Sequence, residues 1–287
     1  MSLFIELKLG RIFKTVSAYA VMGWLLSPSA LAQLASPDET GLAYGHVHLN
    51  VPNIEEHLEI WLEHFDGDLI TIGSSRAVKF PNFILMLNEQ APSLSSIETA
   101  MHHFGFKLRN IGKFIDKWEA AGFEMGPIFT GAEGYINAYV TLPGGVEVEL
   151  QEDQSLYKEF TGYHIHYSTE GYEELLAWYI EVFNLEAQAR GTIQSATNVP
   201  GMNLSYGQLG ARPFELGEGP FAGTDGTAID HVGFEIVNLE AFCRELEAKG
   251  IVFDQAYQWI DALGFASASF TDPGGVKVEL TEGLRSF

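Results

Sequence analysis

Alternation of apolar and polar residues marks four short strands along this chain, and each runs into a segment whose apolar residues recur at helical spacing. From His46 to Val51 successive side chains face opposite ways, so Val47, Leu49 and Val51 share one face and His46, His48 and Asn50 the other. The same parity sets His103, Gly105 and Lys107 against Phe104, Phe106 and Leu108, and His164, His166 and Ser168 against Ile165 and Tyr167. It also sets His231 and Gly233 against Val232, Phe234 and Ile236, and Glu147 and Glu149 against Val146, Val148 and Leu150. The helical segments carry Ile54, Leu58, Trp61, Leu62 and Phe65, then Ile111, Phe114, Ile115 and Trp118 with Gly122 as a left-handed stop. A third carries Tyr172, Leu175, Leu176, Tyr179 and Phe183, and a fourth Leu239, Phe242, Cys243 and Leu246 with Gly250 as its stop. Helices must cover the apolar strand faces, so the histidines and Glu149 are expected on the opposite, open face. Turn-rich breaks at Gln90–Ser93, Glu152–Ser155 and Arg212–Gly226 separate the units, and the last is long enough for a mobile loop over a site.

These units form an internal duplication. Ala100-Met-His-His-Phe-Gly-Phe corresponds to Ile229-Asp-His-Val-Gly-Phe, placing His103 over His231 and Asn110 over Asn238. Leu142-Pro-Gly-Gly-Val-Glu-Val-Glu-Leu corresponds to Asp272-Pro-Gly-Gly-Val-Lys-Val-Glu-Leu, placing Glu149 over Glu279. Gly45-His-Val-His-Leu-Asn corresponds to Tyr163-His-Ile-His-Tyr-Ser, which sets His46 and His164 at like positions.

Each half therefore offers two imidazoles and a carboxylate, the donor set of a divalent metal with open positions: His46, His103 and Glu149 in the first, His164, His231 and Glu279 in the second. A merely solvated sheet face would accept Lys, Thr or Gln equally well. Six donors at matching places favour metal binding in at least one half.

On these segments, together with Glu63-His-Phe-Asp-Gly, the chain resembles the vicinal oxygen chelate superfamily of glyoxalase I, extradiol dioxygenases and bleomycin-resistance proteins. The resemblance covers about residues 42 to 283. It implies an α+β fold of four βαβββ modules paired into two half-open eight-stranded barrels, with residues 42–155 as the first domain and 156–287 as the second. It also implies that the six donors named above are metal ligands on the concave faces. Tyr139 falls where extradiol enzymes place a tyrosine beside the metal ligands; the second half has Ser269 there. His48 and His166 are expected to line the cavities as substrate-orienting or proton-carrying groups, and His102, of opposite parity to His103, to be structural. Glyoxalase I members add a fourth ligand, a glutamate, at a place that aligns with Leu85 and Asn203, which weakens an isomerase reading. Extradiol enzymes add an acid–base histidine that has no counterpart near Thr130 or Ile260, so that role would pass to His48 or His166.

The leading expectation is a dioxygenase acting on a small catechol-like, vicinal-oxygen compound, using Fe2+ or Mn2+, with Zn2+, Ni2+ or Co2+ as other candidates. A glyoxalase-like lyase or isomerase stands as one alternative. A metal-free binding module is another, with Tyr135, Trp259, Phe265 and Phe221 as wall residues.

Lys8, Arg11 and Lys14 precede the apolar stretch Val16 to Leu26, and Ala30-Leu31-Ala32 supplies a small-x-small cleavage pattern. Residues 1–32 are read as a secretory signal and 33–41 as a linker, which makes the protein periplasmic or secreted. The net charge is −22, and removing the signal leaves −24, a balance that repels nucleic acid and anionic membrane surfaces. The expected partner is a small-molecule substrate, with no membrane contact after cleavage; a homo-oligomer stays open. Cys243 is the single cysteine, so internal disulfides are excluded.

Overall fold

The structure, a computed structural model, describes residues 33–131, 134–190, 193–208 and 221–287. The signal at 1–32 and most of the Arg212–Gly226 break lie outside the described residues. Among the described residues no helix is long and apolar enough to cross a membrane.

Four modules repeat strand, helix and three strands. The first holds β1 (Leu42–Val51), α1 (Ile54–Glu63), β2 (Asp68–Ile72), β3 (Ser75–Phe80) and β4 (Phe83–Glu89). In the second are β5 (Met101–Leu108), α2 (Ile111–Ala120), β6 (Ile128–Thr130), β7 (Ile136–Leu142) and β8 (Val146–Glu152). The third comprises β9 (Phe160–Thr169), α3 (Tyr172–Phe183), β10 (Ala187–Arg190), β11 (Ile193–Val199) and β12 (Met202–Gln208). The fourth comprises β13 (Ile229–Ile236), α4 (Leu239–Ala248), β14 (Gln255–Ile260), β15 (Phe265–Thr271) and β16 (Lys277–Glu282). Local chemistry fixes the helix ends. The Asn53 side chain accepts from the Glu55 and Glu56 N–H groups, and Asn110 accepts from the Lys113 N–H, relieving donors that the first turn leaves unpaired. Gly122 and Gly250, at φ +89° and +90°, take the left-handed turn after α2 and α4.

The strands form two eight-stranded sheets, β14-β15-β16-β13-β1-β4-β3-β2 (sheet 1) and β10-β11-β12-β9-β5-β8-β7-β6 (sheet 2), neither closed into a barrel. In each module the first strand runs parallel to the last, while the seams β1–β13 and β5–β9 are antiparallel. The pairing corrects one expectation. The first module joins the fourth and the second joins the third, so each sheet draws on both sequence halves, and residues 42–155 and 156–287 bound the repeat and not the sheets. The connection between β8 and β9, residues 153–159, is the shortest between modules and keeps those two modules side by side.

Between the sheets lies one aromatic-rich core that takes in all four helices. Trp61 of α1 lies 6.0 Å from Phe104 and 6.2 Å from Phe106 of sheet 2, and Phe183 of α3 lies 5.0 Å from Phe234 of sheet 1. Val47, Leu49, Phe104, Phe106, Val148, Ile165, Val232 and Val278 all point into this core, as parity requires. The donor-bearing faces therefore turn away from it.

Candidate metal centres

Strand register assembles both sites. His46 pairs with Gly233 and Gly233 with Glu279, so the three stand in one row across β1, β13 and β16. His164, Gly105 and Glu149 stand in the matching row across β9, β5 and β8. His231 and His103 lie two residues before the row's glycine, on the same face. The glycine is a spatial requirement: a Cβ on Gly233 would sit 2.0 Å from His46 Cε1, and one on Gly105 would sit 2.4 Å from His164 Cε1. The imidazole of the first strand lies over the place where that side chain would be.

The six expected ligands thus come together, but in sets that cross the two halves. His46, His231 and Glu279 meet in sheet 1, and His164, His103 and Glu149 meet in sheet 2. The expected sets, His46 with His103 and Glu149, and His164 with His231 and Glu279, fail because the modules pair across the duplication.

In sheet 2, Glu149 Oε2 lies 2.8 Å from His103 Nε2 and 3.1 Å from His164 Nε2, and the two nitrogens are 3.1 Å apart. In sheet 1, Glu279 Oε2 lies 2.9 Å from His46 Nε2 and 3.3 Å from His231 Nε2. Donors bound at ~2.1 Å to one ion and roughly 90° apart lie about 3 Å from each other, so both sets fit a divalent cation. The His46–Glu279 contact supports that fit. Although close, His46 Nε2 makes no aligned hydrogen bond and is buried, as expected for two lone pairs that converge on a third atom.

The rear nitrogens are anchored by residues on β-bulges. The ladder slips between Met101 and His103 and between His48 and Leu49, leaving His102 and Asp230 as the extra residues. Asp230 Oδ1 lies 2.5 Å from His231 Nδ1, and His102 Nδ1 lies 2.8 Å from His103 Nδ1. Each contact fixes the ligand's ring and turns Nε2 to the site. His102, expected from its parity to be structural, stands on the bulge with its ring nitrogen against that of His103. Asp230, Asn137 and Ser267 were not foreseen. Asn137 Nδ2 donates to Glu149 Oε1 at 2.5 Å, and Ser267 Oγ donates to Glu279 Oε1 at 2.5 Å from the matching position. Parity was the available signal, since Asn137 and Ser267 share a face with Tyr139 and Ser269.

Tyr139 donates to Glu149 Oε2 at 3.1 Å, which places it in the sheet 2 site beside His103 and His164. Its expected companion His48 belongs to the other site, with Nδ1 3.2 Å from His231 Nε2. His166 is fully buried in sheet 2, its ring stacked 4.8 Å from that of His103. Leu85 points into the core; the residue beside His46 on β4 is Ile84, and beside His164 on β12 is Asn203. No carboxylate occupies the fourth-ligand place in either row. Of the aromatic wall candidates, Phe265 is buried in a small apolar cluster with Ile84, Phe221 packs on the main core, and Tyr135 and Trp259 are exposed.

The sites differ electrostatically. Burial holds His103 well below its usual range, while Glu149, which burial alone would raise, is held well below the carboxylate range by His164 and His103. Burial also opposes charge on His231, yet Asp230 and Glu279 outweigh it and raise this group to about 9. Burial, then His231, pushes His48 down to about 3. A histidine raised in the fold adds stability that is fully present below its unfolded value near 6.5 and lost as pH rises through about 9. For metal-stripped protein this amounts to about 3 kcal/mol. Urea denaturation from pH 6 to pH 10 should show the loss in the parent chain and a flatter profile in His231→Asn.

Comparison with known proteins agrees with this architecture. Residues 163–280 match the family model described as Glyoxalase/Bleomycin resistance protein/Dioxygenase superfamily. A mutant of glyoxalase I from Zea mays shares the fold at a TM-score of 0.66 and 13% identity, over 86% of this chain and 95% of that one. A "putative dioxygenase" from Bacillus subtilis does so at 0.62 and 10% identity, over 88% and 86%. No curated protein matches the sequence. The match to the glyoxalase/bleomycin resistance protein/dioxygenase superfamily thus extends over residues 163–280, and across the rest of the described chain the likeness is one of fold, four paired modules with a His-His-Glu cluster at corresponding rows of the two sheets.

Proposed function

We propose that the chain is an exported, divalent-metal-dependent dioxygenase that acts on a small vicinal-oxygen compound at the sheet 2 site. The observation that carries the reading is the donor count. Two imidazoles and one carboxylate converge in each sheet, with His166 as a third imidazole beside those of sheet 2, and Ile84 or Asn203 stands where a fourth-ligand carboxylate would be needed as a movable base. Three protein ligands leave room for a chelating substrate. Bound Fe2+ or Mn2+ would supply Lewis acidity and one-electron chemistry with dioxygen.

The chain's own residues supply the rest. Asn137 and Tyr139 hold the two oxygens of Glu149, and His102 fixes the ring of His103. His166, buried against His103, is the group placed to take the proton that a substrate hydroxyl gives up, with Nε2 facing the room left by Gly207. The sheet 2 site is favoured over its twin because its open face is polar, whereas Ile72, Ile84, Phe265 and Leu284 form an apolar cluster on the open face of sheet 1.

Anaerobically purified, Fe2+-loaded protein should consume dioxygen in step with ring opening when offered a panel of catechols, read by oxygen electrode and absorbance. Conversion of a 2-oxoaldehyde–thiol adduct without oxygen uptake, in Zn2+- or Ni2+-loaded protein, would replace this reading with a lyase or isomerase. Protein that holds no stoichiometric metal and gains no thermal stability from any divalent ion would be a binding module instead.

A further inference from the structure

The two open faces share a backbone plan and differ in what lines it. In sheet 2, Asn203 and Ser205 of β12 pair with His164 and His166, and Arg190 at the end of β10 reaches back over them. Its Nη1 donates to Ser205 Oγ at 2.8 Å, and that hydroxyl donates to Asn203 Oδ1 at 2.7 Å. At the matching positions of sheet 1 stand Ile84 and Met86, paired with His46 and His48, and Ile72 at the end of β2. These three pack with Phe265, Leu263 and Phe287. One duplicated face has therefore been filled with hydrocarbon apart from Lys79, whose amino group donates to the Phe287 carbonyl oxygen, and the other carries a guanidinium over the β12 row.

Among the described residues that guanidinium has no carboxylate partner. Among the described residues Arg76, Lys107, Arg244 and Lys277 pair with Glu55, Asp153, Glu240 and Asp225, while Lys79, Lys117 and Lys249 donate to backbone carbonyl oxygens. Arg190 is half-buried, and among the described residues its one polar partner is the neutral Ser205. With 38 acidic side chains against 16 basic ones, an unpaired arginine is not for want of available carboxylates. A planar fork of N–H donors, one of them already used to set its orientation, suits a carboxylate bidentately. Ser205 lies two strands from His103, roughly 10 Å at ~4.8 Å per strand, which is the reach of a small aromatic or aliphatic acid.

We propose that the sheet 2 site takes a vicinal-oxygen compound bearing a carboxylate, that Arg190 binds this carboxylate, and that sheet 1 cannot do the same. The proposal rests on the metal-centre reading, and the experiment separates the two. Zn2+-loaded full chain, which is redox-silent, is titrated calorimetrically with 3,4-dihydroxybenzoate and with catechol. The acid should bind at least about tenfold more tightly than catechol, the discrimination expected of a charge-assisted pair. Arg190→Gln should bring the acid to within about twofold of catechol while leaving catechol unchanged, and Arg190→Lys should fall between. Equal affinities in the parent chain, no binding of the acid, or a preference that survives in Arg190→Gln would overturn the proposal. An Arg190-dependent preference without oxygen uptake in the Fe2+ form leaves the anion site standing and removes the dioxygenase reading. Oxygen uptake with no preference for the acid does the reverse.

Discussion

Glu149→Ala is expected to lower bound divalent metal from two equivalents per chain to one and to abolish turnover, whereas Glu279→Ala removes the other equivalent and leaves turnover within a few-fold. Each carboxylate is the shared partner of its two imidazoles, 2.8 and 3.1 Å away in sheet 2 and 2.9 and 3.3 Å away in sheet 1. Without it sheet 1 keeps two imidazoles, and sheet 2 keeps two with His166 beside them, donor sets without the anionic charge that holds a divalent ion against water. The asymmetry in turnover follows from the surroundings: Tyr139, Asn137, His166 and the polar row of β12 all belong to the site of Glu149. A fall of about 1000-fold or more, equivalent to about 4 kcal/mol of barrier, separates a lost centre from a perturbed one. Removing Glu149 also strands the buried Asn137 and Tyr139 donors at a cost of about 2 to 5 kcal/mol, so Glu149→Gln serves as the variant that keeps the shape. Elemental analysis and steady-state rates on the four proteins decide the matter. Two equivalents surviving in either alanine variant would refute the assignment.

Much of this was legible in local sequence because a strand has a period of two. Parity alone placed His46, His103, Glu149, His164, His231 and Glu279 on faces turned from the helices, and the structure buries their apolar neighbours in one core. The halves of each site were not legible, since which module pairs with which is set by connection length and packing between distant segments. The same limit explains Leu85. A one-residue shift in alignment put it beside His46, whereas register gives Ile84. His102 and Asp230 escaped because a bulge breaks the alternation on which parity depends. Arg190 was unremarkable in sequence, at the end of a short strand, and acquires meaning only from the β12 row it overhangs.

Gly233→Ala should empty the sheet 1 site while leaving the fold intact, and Gly105→Ala should do the same in sheet 2. Neither glycine adopts a positive φ, so the backbone at both positions accepts alanine without strain. The obstacle is the added methyl, 2.0 Å from His46 Cε1 in one case and 2.4 Å from His164 Cε1 in the other. Each ring belongs to a central strand paired on both sides, so it must swing from its place over the row and take Nε2 away from the carboxylate. Losing one of three donors should weaken metal binding by about 100-fold, or about 2.7 kcal/mol, in chelator competition. Gly122→Ala provides the opposite case: its φ of +89° disfavours a side chain although nothing lies within 4 Å of the added Cβ. It should cost about 1 kcal/mol of stability and leave metal affinity unchanged. If Gly233→Ala instead holds two equivalents at parental affinity, His46 does not need the space above that glycine, and the row cannot be what brings the donors together.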